Sequence, residues 1–290
     1  MKGIVLAGGK GTRLYPITKP ICKPLLPVYD KPMLYYPLSV LLQAGIRDIL
    51  VITPPDDEAP FRELLGDGSA FGAKITYKEQ KVQRGIADAF LVGEEFIDGE
   101  PVCLVLGDNI FHGPDLGGQL LQARETKTGA VVFGLYVEDP RAFGVVEFDE
   151  NGKAVSIEEK PQYPKSNYAV PGLYFYDNQV VDIAKNIQPS ARGELEITAV
   201  NNEYLRRGLL QVIPLEKSCT WFDTGSADSL CTAANAIRTL QKESGKQIAC
   251  PEEIAFRKGW ITAEALEQEG HALAMTNYGQ YLLGLARKQE

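Results

Sequence analysis

The sequence predicts an α/β fold: a doubly wound, mixed but largely parallel sheet flanked by helices, with a β-hairpin insertion and a helical C-terminal segment. Three observations carry that expectation. Over residues 1–136, strand-length apolar runs alternate with helix-length stretches, the pattern of a parallel sheet covered on both faces. From residue 137 the strands come closer together, and Asn151-Gly152 marks a tight turn, a hairpin signal. From Cys250 onward the chain reads as mostly helical and ends in a charged tail.

Taken in order, strands are predicted over residues 2–7, 48–53, 74–79, 102–107 and 130–137. Helices fall between them at 34–44, 57–65, 87–96 and 116–126, with Gly45 ending the first as a C-terminal cap. The hairpin pairs 145–148 with 154–158, and further strands lie at 173–176 and 210–214. Helices are expected at 178–187, 196–207 and 226–245. The winding is Rossmann-like. In such sheets ligands bind beyond the carboxyl ends of the strands. The glycine-rich residues after the first strand, and Gly107-Asp108-Asn109 after the fourth, both fall on that edge.

Composition narrows the class. No apolar stretch approaches the ~20 residues that span a bilayer, and the N-terminus enters a strand at once, so neither a membrane nor a signal peptide is expected. Five cysteines, odd in number and without a Cys-x-x-Cys pair, read as reduced thiols rather than a zinc or redox site. These features together predict a cytoplasmic protein. Two histidines, His112 and His271, leave little material for a histidine-rich metal site or a Ser-His-Asp triad. The net charge is −8, yet residues 1–31 hold six basic side chains and one acid, Asp30, against 24 and 37 in the remainder. A basic patch across a whole domain would suit nucleic acid; this local excess suits a small polyanion.

The stretch from Leu6 to Leu14 reads Leu-Ala-Gly-Gly-Lys-Gly-Thr-Arg-Leu. Gly8, Gly9 and Gly11 let backbone N–H groups approach an anion closely, and Lys10 and Arg13 add full charge to that cradle. A polyphosphate is the expected ligand. The spacing is neither that of the P-loop nor that of the dinucleotide fingerprint, because Leu14 stands where a third glycine is needed. Lys23 follows in a proline-rich segment, Lys23-Pro24-Leu25-Leu26-Pro27, whose fixed φ angles stiffen the backbone that carries it. Asp108 and Asp223 each end an apolar approach, Asp108 directly after Gly107 and Asp223 two residues before Gly225. Two such strand-end carboxylates suit Mg²⁺, which takes one or two carboxylates together with phosphate oxygens and water. Each also reads as an ordinary turn aspartate. Lys160 precedes Pro161, which favours extended backbone at the lysine.

The glycine loop with Lys23-Pro-Leu-Leu-Pro-Val28, Leu106-Gly-Asp-Asn109, Glu158-Glu-Lys-Pro161, Arg192-Gly-Glu-Leu-Glu-Ile-Thr198 and Trp221-Phe-Asp-Thr-Gly225 resembles the sugar-nucleotide pyrophosphorylases. These are nucleoside triphosphate:sugar-1-phosphate nucleotidyltransferases, and the thymidylyl-transferring members are the nearest in pattern. The resemblance spans essentially the whole chain. It implies transfer from dTTP, or UTP as the alternative, to α-D-glucose 1-phosphate with release of diphosphate and dependence on Mg²⁺. A non-catalytic nucleotide-sugar sensor on the same scaffold is the other alternative.

By that resemblance Arg13 and Lys23 are catalytic. The nucleotide is held by Leu6, Gly8, Gly9, Gly11, Thr12, Arg13, Gln80, Gly85 and Asp108, with Gln80 and Gly85 at the base. The sugar phosphate meets Asn109, Gly144, Glu159, Lys160, Val170 and Arg192, and the metal is held by Asp108 and Asp223. Residues 1–245 form the nucleotidyltransferase domain, with a nucleotide half at 1–136 and a sugar-phosphate half at 137–245. Residues 246–290 form a helical segment for assembly or regulation, in a homotetramer with a feedback nucleotide-sugar site between subunits. Three positions depart from the pattern: Asp88 stands where a Gln is usual, Phe143 where a Tyr is frequent, and Ala199 where an Asp is usual.

Overall fold

The structure, a computed structural model, describes residues 1–9 and 11–287. Lys10, singled out above, lies outside the described residues. Strand β1 (Lys2–Leu6) runs into the glycine loop, followed by short 3-10 turns at Thr12–Leu14 and Lys23–Leu25 and the two-residue strands β2 (Pro27–Val28) and β3 (Lys31–Pro32). The winding then continues through α1 (Tyr35–Gln43), β4 (Asp48–Thr53), α2 (Glu58–Leu65), β5 (Lys74–Glu79), α3 (Asp88–Val92), α4 (Glu94–Ile97), β6 (Val102–Leu106), β7 (Ile110–His112), α5 (Leu116–Glu125) and β8 (Ala130–Tyr136). The second half holds β9 (Gly144–Phe148), β10 (Ala154–Glu159), β11 (Tyr168–Val170), β12 (Leu173–Tyr176), α6 (Val180–Asn186), α7 (Ile197–Arg206), β13 (Leu210–Pro214) and β14 (Thr220–Phe222). Four helices end the described chain: α8 (Ala227–Ser244), α9 (Pro251–Arg257), α10 (Ala263–Ala272) and α11 (Asn277–Ala286).

One sheet unites the two halves, in the order β10-β9-β11-β8-β12-β6-β1-β4-β5, with β13 added on β8. The strands β6-β1-β4-β5 are parallel to one another. Strand β12 pairs antiparallel with both β6 and β8, and the hairpin β9–β10 extends the far edge. Successive side chains of a strand point to opposite faces. Val5, Val51 and Val105 therefore join one core with α1 and α5, while Ile4, Leu50 and Leu104 join the other with α3, α6 and α7. Burial on both faces explains why these strands are continuous apolar runs.

The helix expected over 87–96 is two short helices broken at Gly93, where a Cβ would lie 3.1 Å from Ile4 of β1. Strands β7, β11 and β14 were not expected, since three residues are too short to show a period. A third cluster packs Leu14, Val28, Met33 and Ile110 against Ala233 and Ile237 of α8. The C-terminal helices close around Cys250, Leu266, Tyr278 and Leu282, next to Tyr35 of α1. Buried Lys31 ties the segments together, donating to Asp30 (2.5 Å), Gln241 (2.9 Å) and Gln247 (3.0 Å). Among the described residues no helix is long and apolar enough to cross a membrane.

Candidate active site

Strands β1 and β6 lie side by side in register, Leu6 opposite Leu106. The glycine loop and Asp108 therefore leave the sheet at the same edge. Asp223 reaches that edge by another route. Strand β14 pairs antiparallel with β7, Phe222 opposite Ile110, which sets Asp223, just after β14, beside the turn that carries Asp108. Thr224 locks this arrangement: its buried hydroxyl donates to the Asp108 carbonyl at 2.7 Å. Its φ of +46° is costly for a β-branched residue and persists only where the surroundings enforce it.

A cleft of about 520 Å³ opens on this edge. Arg13, Asp108 and Asp223 line one wall, with Asn109, Gly144, Glu159, Lys160, Val170 and Arg192 around the rest. A smaller cavity of about 150 Å³ beside it is lined by Leu6, Gly9, Lys23 and Asp108 among others. The side chain of Lys23 is buried, donating to Asp108 Oδ2 at 2.6 Å and to the Asp223 carbonyl at 3.3 Å. Gly11 is outside the linings of both cavities. Its carbonyl accepts from Thr18 at 2.6 Å, and Thr12 begins the exposed 3-10 turn that presents Arg13.

Asn109 is a junction. Its Oδ1 accepts from Trp221 Nε1 (2.7 Å) and the Gly172 amide (3.0 Å), and its Nδ2 donates to Asp108 Oδ1 (2.9 Å). Most of its hydrogen-bonding capacity is thus used within the protein, one bond holding Asp108 and two tying in Trp221 and Gly172. On the opposite wall Glu159 accepts from Thr198 at 2.5 Å and lies 3.5 Å from Lys160 and 3.7 Å from Arg192. The guanidinium of Arg192 is chiefly engaged by Glu196, at 2.8 Å, which raises its affinity for its proton. Lys160 is not extended as its neighbour Pro161 suggested. Its φ is +46°, because the chain turns there directly after β10 while the Lys160 amide still donates to Phe143.

Gln80 and Gly85 stand outside the linings of both cavities. Gln80 is buried against the glycine loop, with its amide nitrogen donating to Asp88 at 2.8 Å. Gly85 has φ +108°, and a Cβ there would meet the Leu195 carbonyl at 2.5 Å. Sequence reasoning missed Trp221, Thr198 and Tyr174 as cleft residues. Phe143, where a Tyr was noted as frequent, packs its ring edge-on to Trp221 at 4.8 Å. Ala199 faces a groove between α6 and α7 instead of the cleft.

Among the described residues no three His, Cys, Asp or Glu side chains group as a metal site. Asp108 and Asp223 are still a donor set that fits Mg²⁺, which completes its shell with phosphate oxygens and water.

The nucleotidyl transferase family profile matches residues 2–239. The glucose-1-phosphate thymidylyltransferase of Neisseria meningitidis serogroup A is 58% identical over 288 residues, covering 99% of this chain and 100% of that one. A crystal structure described as a glucose-1-phosphate thymidylyltransferase from Bacillus anthracis, in complex with sucrose, is 44% identical with a TM-score of 0.76, covering 82% of this chain and 95% of that one. A UDP-glucose pyrophosphorylase complexed with UDP-glucose matches at 25% identity and a TM-score of 0.71, covering 82% and 98%. The chain belongs to the nucleotidyl transferase family, and within it is similar from end to end to the glucose-1-phosphate thymidylyltransferases.

Proposed function

We propose that this protein transfers a thymidylyl group from dTTP to α-D-glucose 1-phosphate, forming dTDP-glucose and diphosphate. The observation that carries this reading is one cleft with two differently equipped walls. Arg13 and Asp108 line the glycine-loop side, with Lys23 behind Asp108 in the adjoining smaller cavity, and Glu159, Lys160 and Arg192 line the same cleft. A phosphate oxygen of the sugar 1-phosphate attacks the α-phosphorus in line, and diphosphate leaves. The attacking monoester is already a dianion near neutral pH, so no general base or protein nucleophile is required. Rate enhancement then comes from positioning and charge neutralisation. Arg13 and the loop amides of Gly8, Gly9, Gly11 and Thr12 grip the triphosphate, Lys23 holds the α-phosphoryl region, and Leu6, Gln80 and Gly85 seat the base. Lys160 and Arg192 orient the attacking phosphate; Glu159, Asn109, Gly144 and Val170 hold the hexose. Asp108 and Asp223 would hold Mg²⁺, which neutralises phosphate charge when bound.

The test is a matrix of dTTP, UTP and CTP against several hexose 1-phosphates with Mg²⁺, read by pyrophosphate release. Thymine and uracil differ by one methyl, worth about 1–3 kcal/mol in a fitted pocket, so a UTP preference would move the assignment to uridylyl transfer. No release with any pair would leave a nucleotide-sugar sensor. Arg13→Ala and Asp108→Asn are each expected to lower turnover by about 100-fold or more while circular dichroism is unchanged.

The proposal extends to assembly. Residues 246–290 would serve a homotetramer with a feedback nucleotide-sugar site between subunits; part of that segment, with Cys250 and Glu253, lines a small cavity of about 190 Å³ with Tyr36 and His112. Light scattering and inhibition by dTDP-sugars test it.

A further inference from the structure

We propose that Gly225 is a positioning residue: the bare backbone it offers sets where the Arg13 guanidinium and the free oxygen of Asp223 stand in the cleft. The inference rests on the reading of Arg13 as a phosphate contact and of Asp223 as a metal ligand.

A Cβ built on Gly225 would lie 2.9 Å from Asp223 Oδ2, 3.2 Å from Arg13 Nη2 and 3.3 Å from Arg13 Nη1. The carboxylate and the guanidinium thus crowd the one spot where any other residue would carry a side chain. Conformation does not demand a glycine here. The φ of Gly225 lies outside the left-handed region, unlike the +108° of Gly85. What the position requires is space.

The backbone around it is pinned. On one side Thr224 is buried and its hydroxyl donates to the Asp108 carbonyl at 2.7 Å. On the other, Ser226 caps α8, its hydroxyl accepting from the Ser229 amide at 3.1 Å. The Gly225 amide donates to Asp223 Oδ1 at 3.2 Å. That bond ties down one carboxylate oxygen and leaves Oδ2, the one beside the bare Cα, for a cation. A methyl at this position therefore falls on the ends of two flexible side chains, and it is those ends that move. A working site holds its groups to within about 0.5 Å, and a misplacement of about 1 Å costs about 100-fold. A shift of a few tenths of an ångström in both groups predicts about a tenfold loss.

The experiment is Gly225→Ala, alone and combined with Arg13→Ala, with Arg13→Ala and Asp223→Asn as references. Alanine at a compatible φ restricts the unfolded chain, so the melting temperature is expected to stay level or rise slightly. Meanwhile kcat falls about tenfold, the KM for glucose 1-phosphate stays put, and half-saturating Mg²⁺ rises severalfold, as does the Kd of Mn²⁺ by calorimetry. In the Arg13→Ala background, Gly225→Ala is expected to cost at least threefold less than in the wild type, because one of the two displaced groups is already gone. Unchanged kcat and metal requirement overturn the proposal. So does a lowered melting temperature with normal turnover per folded molecule, the mark of a packing role. Failure of Gly225→Ala to fold overturns it as well, since the clash would then fall on the backbone. Equal losses in both backgrounds refute action through Arg13. If instead Arg13→Ala keeps normal turnover and Asp223→Asn keeps normal Mn²⁺ affinity, the underlying reading of the site fails, and the role of Gly225 with it.

Discussion

Replacing Lys23 with Met tests the catalytic reading through two readouts that should move in opposite directions. The ammonium of Lys23 is buried and 2.6 Å from Asp108 Oδ2. Methionine keeps most of the volume and removes the charge. Two unit charges 4 Å apart interact by about 4 kcal/mol at an effective dielectric of 20, and removing one preorganised donor from a transition state costs about 10²–10³ in kcat. Turnover should therefore fall by about that factor. The ground-state cost is small, because Asp108 keeps 32% side-chain exposure and water screens its lost partner. The melting temperature should shift by no more than a few degrees. In the ligand-free protein, however, Lys23 occupies the same carboxylate that is proposed to hold the metal. Without it, Asp108 Oδ2 is released and Mn²⁺ or Mg²⁺ should bind severalfold tighter by calorimetry. A kcat within threefold of wild type would refute the catalytic role of Lys23. Unchanged metal affinity would refute Asp108 as a carboxylate that the ion and the lysine share.

Gly85→Ala forces a side chain onto φ +108° and against the Leu195 carbonyl. With strain of about 1–3 kcal/mol, the loop must shift, and we expect the KM for dTTP to rise at least tenfold; a normal KM would remove Gly85 from the base site. Thr198→Val deletes the hydroxyl that donates to Glu159. The loss of about 1 kcal/mol should raise the KM for glucose 1-phosphate roughly fivefold without affecting dTTP, and equal effects on both would argue against Glu159 as a sugar contact. Burial raises the carboxyl of Glu252 above its ordinary range, although Tyr278 and Cys250 donate to it and pull the other way. A raised folded-state value means that the folded protein binds more protons, so this contribution is present below about pH 4.3 and is lost as pH rises through the raised value. Glu252→Gln should flatten that slope in urea unfolding as pH rises above the ordinary carboxylate range; parallel curves would show that Glu252 does not titrate this way.

The parallel strands were legible because two-sided burial writes itself as unbroken apolar residues, as in Val102–Leu106. The glycine loop was legible because its chemistry is local: three glycines and an arginine directly after a strand. Lys23 and Asp108 could be named as candidates from their immediate neighbours, whereas Glu159 and Lys160 read locally as a solvated charge run and were named only through the family resemblance. The three-residue strands β7 and β14 could not be read, and Trp221 and Thr198 carried no local mark of a role in the cleft.

Local pattern, then, was enough to specify the alternating architecture, its functional edge and a cationic phosphate cradle, since side-chain polarity and backbone freedom act over a few residues. Only the assembled chain decided how these parts meet. The pairing of Phe222 with Ile110 brings Asp223 to Asp108, Trp221 reaches Asn109 from 112 positions away, and buried Asp88 accepts from the amide of Gln80. Strand register and the burial of a charge are set by partners remote in sequence, and their energies exist only once those partners are packed together.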